Sequence, residues 1–137
     1  MKHLKFLPSF LLILLLFAGT SVSFAQTDKN KDAPIVFIVE QMPVFPGGED
    51  SMYKFITANV TYPQVAREKN ISGTVIIIFI VEQDGSITNA KVVKGIGGGC
   101  DEEALRVVKL MPKWNPGKQA GKPCRVQFQL PLKFSLS

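Results

Sequence analysis

The segment from Cys124 to Phe134 constrains the fold of this chain more than any other stretch. Cys124, Val126, Phe128, Leu130, Leu132 and Phe134 fall on one parity, and Arg125, Gln127, Gln129 and Lys133 on the other. Apolar residues at strict period two predict a β-strand with one buried face and one wet face. Pro131 has no N–H to give to a ladder, so the strand belongs at a sheet edge or leaves the sheet there.

The partners of that strand lie upstream. Thr74 to Val81 (TVIIIFIV) reads as the strongest strand, Asp84-Gly85 as a hairpin turn, and Ser86 to Lys94 as the return strand. A lone hairpin does not hold together in water, so a third strand and packed helices are required. Helical spacing of Met52, Phe55 and Ile56 predicts a helix over Glu49–Asn59, with Glu49 and Asp50 in the first turn where carboxylates suit the helix dipole. A second, short helix opens at Pro63, carries Val65, Ala66 and Lys69, and ends near Asn70. A third is capped by Asp101 and buries Ala104, Leu105, Val108 and Met111 before Pro112 stops it. Ile35 to Val39 (IVFIV) is extended, and Met42 to Gly48 is a turn rich in Pro and Gly. The fold class is α+β: two layers, a small three-stranded antiparallel sheet (hairpin, helix, third edge strand), helices on one face.

One strand breaks the pattern. Val75, Ile77, Phe79 and Val81 would face the helices, which leaves Ile76, Ile78 and Ile80 on the opposite side, where polar residues are expected. Either the IVFIV segment folds beneath them, or they form a self-association or partner face. Both readings stay open on sequence.

The chain has 137 residues, enough for one domain. Its start has the shape of a secretory leader: Lys2 and Lys5, then an apolar run from Phe6 to Ala18, then Ser23-Phe24-Ala25 with small residues at the cleavage positions. The run falls short of the ~20 residues that span a bilayer. Residues 1–25 are therefore read as a signal peptide, with an uncleaved anchor as the alternative. Residues 26–38 form a short tether and extended segment, and residues 39–137 the domain. Removing the leader leaves fourteen basic residues against eleven acidic, a net charge of +3. With no dense Lys/Arg run, that is a poor footprint for nucleic acid.

The only histidine, His3, lies in the leader. The exported chain thus lacks the imidazole that Ser-His-Asp and Cys-His systems need, and the ligand of His-containing zinc sites. Cys100 and Cys124 allow one disulfide, but Cys124 sits on the apolar parity of its strand, and the pattern favours small buried thiols. Their spacing resembles no metal site. The loop Gly95–Gly99 fails as a phosphate cradle, because Cys100 stands where GxGxxG needs glycine and Asp101, Glu102 and Glu103 would repel an anion. That acidic trio points in different directions on a helix and reads as dipole partners rather than an acid–base pair. Trp114 and Tyr62 read as packing anchors. No catalytic residue, metal or cofactor is assigned, and the chain is read as a non-enzyme.

These residues together resemble a known family. Val39-Glu40-Gln41-Met42-Pro43 with Phe45-Pro46-Gly47-Gly48, Tyr62-Pro63 with Ala66, Ile71 with Gly73, Val75, Phe79 and Val81, Asp84-Gly85, Ala104, Pro112-Lys113-Trp114 with Pro116-Gly117, Gly121-Lys122, and Pro131 with Phe134 resemble the C-terminal domain of TonB-type energy transducers. The resemblance covers roughly residues 39–135. It implies a periplasmic binding module associated with TonB-dependent transport across the outer membrane. Such a domain grips an extended segment, the TonB box of an outer-membrane receptor, by strand addition to a free sheet edge.

By that resemblance the edge is Cys124, Arg125, Val126, Gln127, Phe128, Gln129 and Leu130, with Asn59, Val60 and Thr61 close to the peptide. The implied partners are such a receptor, a full-length transducer and the ExbB–ExbD motor. The tether from Gln26 to Pro34 reaches only about 30 Å when extended, unlike the long Pro-rich spacer of typical transducers. The alternative function is accordingly a structural or oligomerisation module, a homodimer through Ile76, Ile78 and Ile80 or a partner of a full-length transducer, without direct energy transduction. The alternative location is the inner membrane, held by the uncleaved leader.

Overall fold

The computed structural model describes residues 33–136. The leader at residues 1–25 and the tether up to residue 32 lie outside them. Three elements build the sheet. Strand β2 (Gly73–Val81) is the β-branched run, and it turns at Asp84-Gly85 into β3 (Ile87–Lys94). The Asp84 carboxylate accepts from the Ser86 N–H at 2.9 Å and its hydroxyl at 2.6 Å, which closes the turn. Gly85 is required there, since its φ is 89° and an added Cβ would lie 2.0 Å from the Trp114 carbonyl oxygen. The β2–β3 ladder slips by one residue between Ile78 and Ile80, where Asn89 takes a φ of 52°.

The closing strand β6 (Arg125–Phe134) lies antiparallel against β2 over nine consecutive partners, from Gly73↔Phe134 to Val81↔Val126. The expected three strands are therefore present as β6–β2–β3. A fourth joins them: β1 (Ile35–Val36) pairs parallel with the first two residues of β6, giving the order β1–β6–β2–β3. Local periodicity could not reveal a two-residue strand whose partner lies some ninety positions away.

Helices α1 (Glu49–Asn59), α2 (Gln64–Glu68) and α3 (Cys100–Lys109) supply the second layer. Val75, Ile77, Phe79 and Val81 are fully buried and join Leu130, Leu132 and Phe134 against Met52, Ile56, Ala66, Ala104, Val107 and Val108. Trp114 ties the turn to this core, with its ring 5.5 Å from Phe79, 5.0 Å from Phe128 and 5.7 Å from Phe45. Its indole Nε1 is buried without a hydrogen-bond partner among the described residues. A small hairpin, β4 (Lys118–Gln119) and β5 (Lys122–Pro123), leads into β6. Bridges Gln41–Lys118 and Val44–Asn115 fasten the Met42–Gly48 turn to that region.

Several local expectations are corrected. Asp101 does not cap α3. The helix starts one residue earlier, behind Gly99 with φ 88°, and the Asp101 carboxylate reaches back to the N–H groups of Ile96 (2.8 Å) and Gly97 (3.3 Å). The buried stripe of α3 is Cys100, Ala104, Val107 and Val108, while Leu105 and Met111 are half-buried. Spacings of four, three and one trace a single wide face. Pro63 stands just outside α2 in extended conformation, and Val65 is exposed beside a fully buried Ala66. Cys124 precedes β6 instead of opening it, half-buried with its thiol 3.5 Å from the Gly117 carbonyl. Arg125 is not on a wet face: it is only 8% exposed.

Candidate functional site

Strand β6 has two backbone rims, and they differ. The rim toward β2 is paired along the ladder. The other rim is covered only at Arg125 and Val126, by β1. From Gln127 to Phe134, no strand of the described residues is paired with it. Eight residues at the usual strand rise make an open rim about 27 Å long. It is held rigid from the side, because Leu130, Leu132 and Phe134 are buried in the core while Gln129, Pro131 and Lys133 point to solvent. Phe128 is half-buried, with its ring on Phe79 at 5.6 Å and Trp114 at 5.0 Å. An extended segment can add to such a rim through N–H and C=O groups that water now satisfies.

Two features bracket the rim. At its Phe134 end, the Tyr62 ring meets Phe134 edge-on at 5.7 Å, and the Tyr62 hydroxyl donates to the Ile71 carbonyl. Tyr62 thus ties the end of the Asn59–Thr61 connection to the core face of the sheet. Asn59 is occupied: its amide donates to the Phe55 carbonyl at 2.7 Å, and its own carbonyl accepts from Arg106 Nη2 at 2.7 Å. Val60 is half-buried and Thr61 exposed. At the Arg125 end, the guanidinium bonds to Glu82 through Nε (2.7 Å) and Nη2 (3.1 Å), while Nη1 donates to the Ala33 carbonyl at 2.9 Å. Thr88 Oγ1 completes the set with a 2.5 Å bond to Glu82. Burial pushes the Glu82 carboxyl up, but the hydrogen bonds from Arg125 and Thr88 and the guanidinium charge outweigh it and hold the group below its ordinary value.

Glu82, Thr88 and Ala33 were not singled out from sequence. The register could have found Glu82: Val81 pairs with Val126, so opposite charges stand one step further along both strands.

The isoleucine face divides in the same way. Ile80 is buried, at 4% exposure, whereas Ile76 and Ile78 are half-exposed. Ile35 reaches this face and lines a groove of about 520 Å³ with Ile78, Ile80, Asn89, Lys91 and Gln127. The IVFIV segment thus meets the sheet at its edge and covers only one end of the stripe. Cys100 and Cys124 are free thiols, and burial pushes both above the usual range. Among the described residues no group of His, Cys, Asp and Glu could hold a metal ion.

The described residues thus form a small α+β layer pair with one strand rim left largely unpaired. The family model for the Gram-negative bacterial TonB protein C-terminal domain matches residues 58–136. The chain belongs to that family. Two solution structures of the Helicobacter pylori TonB C-terminal domain are similar. The shorter form is 28% identical and covers 63% of this chain and 90% of its own, with a TM-score of 0.48. The longer is 24% identical and covers 84% and 98%, also with a TM-score of 0.48. A search of curated proteins gives no match. The family is a transport-energy-coupling module, associated with TonB-dependent transport, and it works in the periplasm of Gram-negative bacteria. Among the described residues no helix is long and apolar enough to cross a membrane.

Proposed function

We propose that this chain is a periplasmic peptide-binding module that captures a TonB-box-type segment of an outer-membrane receptor by strand addition to β6. The observation that carries the reading is the open rim from Gln127 to Phe134 on a strand whose side chains are locked in the core. Of the expected edge, Gln127 to Leu130 lie on the open rim, with the 59–61 connection as the further expected contact, while Arg125 and Val126 are taken by β1 and Arg125 acts as a structural clamp. Export through a leader cleaved after Ala25 places the domain in the periplasm, and retention of the leader would tether it at the inner membrane. A full-length transducer or the ExbB–ExbD motor is the further partner that this reading calls for.

The second reading, self-association across Ile76, Ile78 and Ile80, draws on the half-exposed Ile76 and Ile78. It ranks lower, because Ile80 is already buried and Lys91, Lys94 and Lys133 share that face without an ion pair among the described residues. Two copies would bring those lysines together.

Backbone chemistry tests the proposal. A TonB-box peptide should bind the exported chain in calorimetry, and the same peptide N-methylated at alternate residues should lose binding, with its side chains unchanged. Equal binding of both forms means that recognition does not run through the rim.

A further inference from the structure

Strand β1 lies on the same rim, at the two rungs where the open stretch begins, and its hold there is slight. Only Ile35↔Arg125 and Val36↔Val126 are paired. The residues that follow are apolar and unburied, with Phe37 63% and Ile38 89% exposed. Cavities flank the segment on both sides: the groove of about 520 Å³ beside Ile35, and a second of about 410 Å³ lined by Pro34, Val36, Ile38, Val39, Cys124 and Arg125. The segment is pinned at two points. The Arg125 guanidinium, itself held by Glu82, grips the Ala33 carbonyl. Beyond Val39, Glu40 bonds Gln119 and Ala120, and Gln41 bridges to Lys118. Between these pins, Ile38 and Val39 make no hydrogen bond among the described residues.

We propose that β1 is a built-in competitor for the peptide site: a strap that occupies the first two rungs of the β6 rim and must lift before an incoming strand can use the full edge. The proposal rests on the reading of that rim as the peptide site. Its chemistry is that of a substitute ligand, two β-branched apolar residues offering backbone groups to the rim an incoming strand would use. The strap therefore sets how much of β6 is available, eight rungs when closed and ten when open. Closed nine-tenths of the time, it would weaken apparent binding of a strand that needs all ten rungs by about tenfold.

The test uses the full exported chain and its Val36→Pro variant, in which the proline removes one N–H and disfavours the paired conformation. Two probes are titrated: a TonB-box peptide long enough to span Arg125–Phe134, and a synthetic peptide of residues 33–39 (APIVFIV). The variant should bind the long peptide about tenfold more tightly. It should also accept the 33–39 peptide in trans, with amide shifts at Arg125 to Gln127 that the parent chain does not show. If the parent binds the long peptide and the variant binds it equally, the strap is wrong and the rim reading survives. If the variant takes the 33–39 peptide while neither chain binds a TonB box, the strap stands as the rim's own occupant and the TonB-box reading fails. Amide exchange in the parent chain gives a check independent of the variant. Ile35 to Phe37 should exchange far faster than Ile77 to Val81, and equal protection overturns the proposal.

Discussion

The two rims of β6 make an experiment within one strand. On the inner side, nine consecutive pairs join it to β2, and the flanking Val75, Ile77, Phe79 and Val81 are fully buried. On the outer side, two pairs join it to β1, and the residues next in line stand in solvent. The backbone and its alternation are the same for both. The difference shows that a strand is ordered by side-chain burial on one face and need not be paired on both rims. An edge so fixed presents N–H and C=O groups in register without being consumed by its own fold, and local opening free energies should differ accordingly across the strand.

Substitutions on the two sides should separate widely. Phe79→Ala, in the core beneath the inner ladder, should cost about 3–5 kcal/mol in denaturant unfolding. Ile38→Ala, on the exposed side beside β1, should stay within about 0.5 kcal/mol. Similar costs would erase the contrast.

Glu82 couples the two sides, since it holds the arginine that grips Ala33. Glu82→Gln should lose about 1.5–3 kcal/mol, the range for hydrogen bonds to charged groups. Its pH dependence has a definite sign. The folded-state carboxyl ionises below its unfolded value, so its contribution is complete above the unfolded carboxylate range and fades as pH falls through the folded value. Parent and variant stabilities should converge in acid, and a gap that widens there would contradict the pairing with Arg125.

A smaller effect than at Glu82 is expected at Trp114. Its indole N–H is buried without a partner among the described residues, so Trp114→Phe removes an unsatisfied donor along with some ring area. The net change should be below about 1.5 kcal/mol, against about 3–5 for Trp114→Ala. A large loss in the phenylalanine variant would mean the indole nitrogen does make a bond.

Periodicity made much of this architecture legible. The stripe Met52, Phe55 and Ile56 fixed α1 at Glu49–Asn59, and the parity of Val126 to Phe134 gave β6 its buried face. Pro131 pointed to an unpaired rim, and the tertiary fold left that rim open. What escaped depends on chain crossings rather than on neighbours. Arg125 has the parity of a wet residue, yet it is buried because Glu82, forty-three positions away, stands beside it. Ile35 and Val36 read as an extended segment, but their partner is set by where β6 begins. Asp101 looked like a cap, and the left-handed Gly99 took that position because the glycine loop folds back onto the carboxylate.

The central claim is that the outer rim of β6 receives a foreign strand. Amide exchange and chemical shifts of the labelled chain, followed while a TonB-box peptide is added, measure this directly. Protection gained at the amides between Gln127 and Phe134 that face away from β2 (Pro131 having none), with β3 and α3 unchanged, is the predicted result. Saturating peptide that leaves those amides exchanging freely, or that protects the helices instead, would contradict it.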